Sequence, residues 1–144
     1  MYSFAYPARF RPDEDGRPVV SFPDFPRCHT DGKDHREAAE EAMDCLGSVL
    51  ASLISDKQEI PRPSPLKRGQ RLVPVPLWIA GKLALYLAMK EKRMTNSALA
   101  RGLGVRETVV RRMLDPRHET RPEKLQAALE VLGKRITVGV EDAA

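Results

Sequence analysis

The sequence predicts an α+β chain: a small sheet with one helix, followed by an all-helical segment. Three observations carry this. Apolar residues alternate with a period of two over Ser3 to Phe10, and short strand-like stretches follow between clusters of Pro, Asp and Gly. A single long amphipathic stretch follows. From Leu77 onward the apolar period changes to three and four. These readings divide the chain into residues 1–75 and residues 76–144.

Ser3 to Phe10 places Phe4, Tyr6, Ala8 and Phe10 on one side of a first strand. Pro12-Asp13-Glu14-Asp15-Gly16 is turn chemistry, and Val19 to Phe22 resumes as a second strand that stops at Pro23. Cys28-His29-Thr30 is a short third strand closed by Asp31-Gly32. A helix over about His35 to Ser55 has its apolar positions at Ala39, Ala42, Met43, Leu46, Val49, Leu50, Leu53 and Ile54. Asp34 is placed to cap it, with Glu37 three residues on to reach back. Prolines 61, 63 and 65 then impose an extended path, and Arg71 to Val75 forms an edge strand because Pro74 cannot donate.

In the second half, Leu77 to about Lys92 is one helix, with Leu77, Ile79, Leu83 and Leu87 in its apolar pattern. Thr95 or Asn96 caps a short helix from Ser97 to Gly102, and another runs from Arg106 to Leu114. Thr120-Arg121-Pro122-Glu123 has the form of a capping box for a fourth helix closed at Gly133. Ile136, Val138 and Val140 alternate as a short terminal strand, a plausible edge for dimerisation.

Composition narrows the function. Hydrophobic content of 42% with 31% charged residues is globular rather than disordered. No apolar run is long enough to span a bilayer or to act as a secretory signal, so a cytoplasmic protein with no membrane partner is expected. Cys28 and Cys45 have no metal spacing and are expected to be reduced thiols. Residues 1–60 carry 7 Lys+Arg and 12 Asp+Glu, a net of −5; the remaining 17 Lys+Arg and 8 Asp+Glu give residues 61–144 a net of +9. An acidic front and a basic back suggest two surfaces with different partners.

Catalysis finds little support. Asp13, Glu14 and Asp15 crowd into one turn, and no pair of acids is spaced to converge on a metal. His29, His35 and His118 fall in three elements without a paired nucleophile. No catalytic residue, metal site or cofactor is assigned, and the chain is expected not to be an enzyme.

The segment NSALARGLGVRETVVRRML, Asn96 to Leu114, has the spacing of two helices crossing at a tight turn. Ala100 supplies a small contact and Gly104 the positive φ. Leu99, Leu103, Val105, Val110 and Met113 point to a shared core, leaving Arg106, Glu107, Thr108, Arg111 and Arg112 outward, a face suited to the major groove. This half resembles the lambda-repressor-like helix-turn-helix domains. By that resemblance Asn96 meets a phosphate, and Glu107, Thr108 and Arg112 read bases in operator DNA, with the protein a homodimer or higher homo-oligomer.

The stretch FPDFPRCHTDG, Phe22 to Gly32, reads in two ways. It is a tight turn that packs two phenylalanines, or it holds Asp24 outward beside Phe25 to meet a basic protein. Together with EAAEEAMDCLGSVLASLI it resembles the HicB antitoxins, whose segment F-P-D-x-P-x-C-x-T-x-G is met by Phe22, Pro23, Asp24, Pro26, Cys28, Thr30 and Gly32. Asp34 stands where a capping threonine is frequent in that family. The resemblance implies a partial ribonuclease-H-like N-terminal domain without an active site, a helix-turn-helix domain, a HicA-like mRNA-cleaving toxin as partner, and repression of the protein's own operon. Asp24, Phe25, Glu40, Glu41 and Asp44 are the candidate toxin contacts. The alternative is a stand-alone transcriptional regulator whose N-terminal domain senses a ligand or a protein.

Overall fold

The computed structural model describes residues 3–143 and contains a mixed α+β architecture of four antiparallel strands and five helices. The chain divides after Ala80 into two compact units.

In the first unit, β1 (Ala5–Pro12), β2 (Pro18–Phe22), β3 (Phe25–Asp31) and β4 (Gln70–Pro74) form one sheet in the order β3-β2-β1-β4. The prolines follow the pairing. β1 pairs with β4 through Ala5–Arg9 and with β2 through Arg9–Pro12, so Pro7 has a partner on one side only. Pro26 and Pro74 lie on the two edge strands, where a missing donor is tolerated. The β1–β2 connection is stitched by Asp13, whose Oδ1 accepts from the amides of Asp15 (2.9 Å) and Arg17 (2.8 Å).

The second hairpin differs from the sequence expectation. Phe22 pairs with Phe25 across Pro23-Asp24, so β3 starts at Phe25 and not at Cys28. Burial drives the early start. The Phe25 ring, 5% exposed, meets Tyr6 edge-on at 4.8 Å and Phe22 at 6.5 Å.

Helix α1 (His35–Ser55) packs on the face of the sheet that carries Tyr6, Ala8, Val20 and Cys28. Asp34 caps it by accepting from the Glu37 amide at 2.8 Å, while Glu37 reaches back to the Lys33 amide at 3.2 Å. Ala38, Ala42, Leu46, Leu50 and Ile54 are buried. Each fully covered leucine is worth roughly 2–3 kcal/mol of burial. Ala39, Met43, Val49 and Leu53 are only half-covered, so the buried stripe is narrower than the apolar pattern suggests. Close approach at the helix start needs Gly32: a Cβ there would lie 2.3 Å from the Ala38 amide nitrogen.

The division falls within α2 (Leu77–Lys92). Contrary to the helical pattern, Leu77 is 89% exposed at the first helical position, where a residue projects past the end of the apolar stripe. The second unit holds α3 (Asn96–Leu103), α4 (Glu107–Leu114) and α5 (Pro122–Val131) around Leu85, Met89, Leu99, Val110, Met113, Leu125 and Leu129. Thr120 does not cap α5: Arg121 is the N-cap residue without a side-chain bond, and Pro122 supplies the preset first turn. Residues 134–143 form no strand, so the terminal strand expected from Ile136 to Val140 is not present.

Candidate functional site

Two surfaces carry the residues singled out by the sequence, one in each unit. In the second unit the turn between α3 and α4 is built as its spacing predicts. The Thr95 hydroxyl, not Asn96, caps α3, accepting from the Ala98 amide at 3.1 Å. Gly104 sits at φ +67°, and the Val105 amide returns to the Ala100 carbonyl at 3.0 Å. Leu99, Val110 and Met113 are buried, but Val105 is exposed rather than in the core, because it lies in the turn between the helices.

Asn96 begins α3 and is half-buried. Arg106, Thr108, Arg111 and Arg112 are all exposed along the start and outer side of α4. Glu107 is tied to Arg111, whose Nη2 donates to both carboxylate oxygens at 2.7 and 3.0 Å. This pair, four residues apart, adds a few tenths of a kcal/mol to the helix. It also neutralises one arginine, while Arg106 and Arg112 stand exposed beside it.

Sequence reasoning missed the residue that holds α4 in place. Lys82 on α2 is 3% exposed and is the one buried charged side chain among the described residues. Its ammonium donates to the carbonyls of Arg112 (3.2 Å) and Met113 (3.0 Å) and to the Thr120 hydroxyl (2.8 Å). A cation at a helix C-terminus satisfies orphan carbonyls and the negative end of the dipole. Burial lowers the ammonium's pKa, and nearby Asp115 partly opposes that shift. The Asp115 carboxyl is itself held below the ordinary carboxylate range, chiefly by the Arg117 amide. The signal in the sequence was a lone charge inside LWIAGKLALYLAM.

In the first unit, Glu40, Glu41 and Asp44 stand on the exposed side of α1 as expected. Asp24 does not project freely outward. Its Oδ2 accepts from the Ser64 amide at 3.0 Å and its Oδ1 from the Ser64 hydroxyl, tying the hairpin tip to the proline-rich segment. Tyr6 secures the same segment by donating to the Pro61 carbonyl at 2.8 Å. Phe25 is core rather than a shared surface residue. Between these parts runs an apolar groove of about 300 Å³, lined by Asp24, Phe25, Pro26, Arg27, Val49, Leu53, Glu59 and Pro61. Val49 and Leu53 are two of the half-covered residues of α1, a feature its wide apolar stripe contained but did not locate.

Two acids in this unit are pushed up to about 12: the Tyr6 phenol by burial and then by Asp24, and the Cys28 thiol by burial and then by the Cys45 thiol. Both are held neutral, as inert core groups. Among the described residues no cluster of His, Cys, Asp and Glu could hold a metal ion, and no helix is long and apolar enough to cross a membrane.

Comparison with known proteins gives the class first. Residues 5–84 match the model of the HicB-like antitoxins of bacterial toxin–antitoxin systems. Over 136 residues the chain is 35% identical to antitoxin HicB 1 of Photorhabdus laumondii, covering 94% of this chain and 86% of that protein. It is 37% identical over 131 residues to antitoxin HicB 2 of the same organism, covering 91% and 92%. It is 33% identical over 133 residues to antitoxin HicB of Escherichia coli K12, covering 92% and 96%. The chain belongs to the HicB-like antitoxin family. That family is one of antitoxins, not of enzymes.

Proposed function

We propose that this chain neutralises a HicA-like, mRNA-cleaving toxin by masking it, and represses its own operon by binding promoter DNA. Residues 1–75, read as a partial ribonuclease-H-like domain, would hold the toxin. Residues 76–144 would hold the DNA through a lambda-repressor-like helix-turn-helix made by α3 and α4. The whole would act in the cytoplasm as a homodimer or higher homo-oligomer.

One observation carries the reading most strongly: the identity to HicB antitoxins spans more than nine-tenths of the chain and so includes both units. The arrangement of charge supports each half. Glu40, Glu41 and Asp44 give α1 an acidic exposed side suited to a basic partner, and further along the same helix Val49 and Leu53 line a groove able to seat an apolar side chain. On α4, Arg106 and Arg112 are exposed near Thr108, the residue types that grip phosphates, guanine edges and thymine methyls. Glu107 would read a cytosine amine only by giving up part of its pairing with Arg111.

The test uses the full chain. Co-expressed with the product of the neighbouring short basic reading frame, it should co-purify, and Glu40→Lys with Glu41→Lys should weaken the pair. In gel shifts it should prefer its own upstream DNA over random DNA. Arg112→Ala should cost roughly tenfold to a hundredfold in that preference. Equal binding to both DNAs at moderate salt would remove the repressor half of the proposal.

A further inference from the structure

Trp78 is the single tryptophan of the chain and is 53% exposed at the start of α2. An indole left half in water carries a large apolar area that folding has not covered, and tryptophan is among the residues most enriched at binding hot spots. Its support is α1. A Cβ added at Gly47 would lie 2.9 Å from the Trp78 Cζ2 atom and 2.9 Å from the Pro76 Cγ atom. A glycine inside a helix is unfavourable against alanine, and here it makes room for the indole edge to rest on the helix. Trp78 lies beyond residue 75, but the compact first unit runs to Ala80 and includes it.

The resting place decides what the ring can meet. With 3.6 residues per turn, Glu40 stands about 20° and Asp44 about 60° around α1 from Gly47. Val49 and Leu53 of the groove stand about 160° and 120° away. Trp78 therefore shares a flank with two acids and not with the groove. Both acids are exposed. Glu40 is engaged by Arg36 at 3.3 Å, whereas Asp44, one turn from Gly47, forms no ion pair among the described residues. An aromatic face near a carboxylate suits a guanidinium. The planar cation stacks on the negative face of the ring, and its N–H fork reaches the carboxylate. An ammonium is a strongly hydrated point charge with no plane to stack.

We propose that Trp78 and Asp44 form a seat for an arginine side chain of the basic toxin, with the indole as anchor. The inference rests on the toxin-binding reading above and names the chemistry that this flank of α1 recognises. It also carries the toxin surface past residue 75, into the first turn of α2.

The full chain grown with 5-fluorotryptophan tests it, since one tryptophan gives one fluorine resonance. Adding the product of the neighbouring short basic reading frame should move that resonance. Trp78→Ala should weaken the complex about tenfold or more, and Trp78→Phe, which keeps a ring, should lose less. Gly47→Ala should keep the helical circular dichroism yet weaken the complex, because the added methyl displaces the indole; a Trp78 with only a packing role would leave binding unmoved. Replacing the toxin's arginines by lysine, one at a time, should find one whose loss is not additive with Trp78→Ala. If the two proteins bind but neither the resonance nor the affinity responds, or no arginine couples, the seat is overturned while toxin binding survives. If the resonance moves with the chain's own concentration and not with the toxin, the indole meets a second copy and the seat is again overturned. If the two proteins do not bind at all, the toxin-binding reading falls and the seat with it.

Discussion

The Lys82 ammonium donates to the Met113 carbonyl at 3.0 Å, joining α2 to the last turn of α4. The same ammonium holds the Arg112 carbonyl, so the residue whose side chain points to water has its backbone fixed from inside. Lys82→Met would take the ammonium from the Met113 carbonyl, and also from the Arg112 carbonyl and the Thr120 hydroxyl, which keep the Asp115 amide and the His118 ring as partners. We expect a loss of about 2 kcal/mol, read as a lower urea midpoint for the full chain. An unchanged or higher midpoint would mean that freeing the chain from a buried ammonium outweighs the three lost bonds.

Asp24→Asn tests the tie between the hairpin tip and Ser64. Replacing a charged acceptor of two bonds in a half-exposed setting should cost about 1–2 kcal/mol. It should also lower the Tyr6 phenol from about 12, because Asp24 is one cause of its rise. Burial is the larger cause, so the phenol should stay above its ordinary value. Absorbance titration near 295 nm reads this directly.

Stability should fall under alkaline conditions for two identifiable reasons. Cys28 and Tyr6 are acids whose folded values, about 12, lie above the ordinary 9.0 and 10.0. Above pH 9 the unfolded chain releases protons that the folded chain retains, so unfolding becomes easier as pH rises toward 12. Denaturant midpoints measured from pH 8 to 11 should decline steadily. At pH 8 Cys28 should resist thiol reagents until the protein unfolds.

Gly104 and Gly32 should respond very differently to alanine. Gly104 has a positive φ but no atom within 4 Å of an added Cβ, so Gly104→Ala should cost only about 1 kcal/mol of backbone strain. At Gly32 the added carbon meets the backbone of Glu37 and Ala38, which cannot swing aside as a side chain can. Gly32→Ala should displace the start of α1 and destabilise by several times as much. Thermal midpoints of the two variants give the comparison.

Legibility in the sequence followed the range of the interactions. α1 was readable over His35–Ser55 because its cap, its period and its end are local. The turn at Gly104 and the exposure of Arg106, Arg111 and Arg112 were readable for the same reason. Long-range partners were not. Thr120-x-x-Glu123 has the pattern of a capping box, but the hydroxyl serves Lys82, 38 residues away. Asp24 reads as a free carboxylate until Ser64, 40 residues on, accounts for it. The terminal alternation from Ile136 signals strand propensity, but a strand also needs a neighbour, which the chain does not provide within the described residues.

On α1 the side chains that fill the core and the side chains that carry charge are different residues: Leu46 and Leu50 belong to one set, Glu40, Glu41 and Asp44 to the other. If these acids meet the toxin as proposed, its recognition can change by surface substitution alone. Each new pairing preference would start from an intact scaffold and would not have to wait for a compensating repair in the interior.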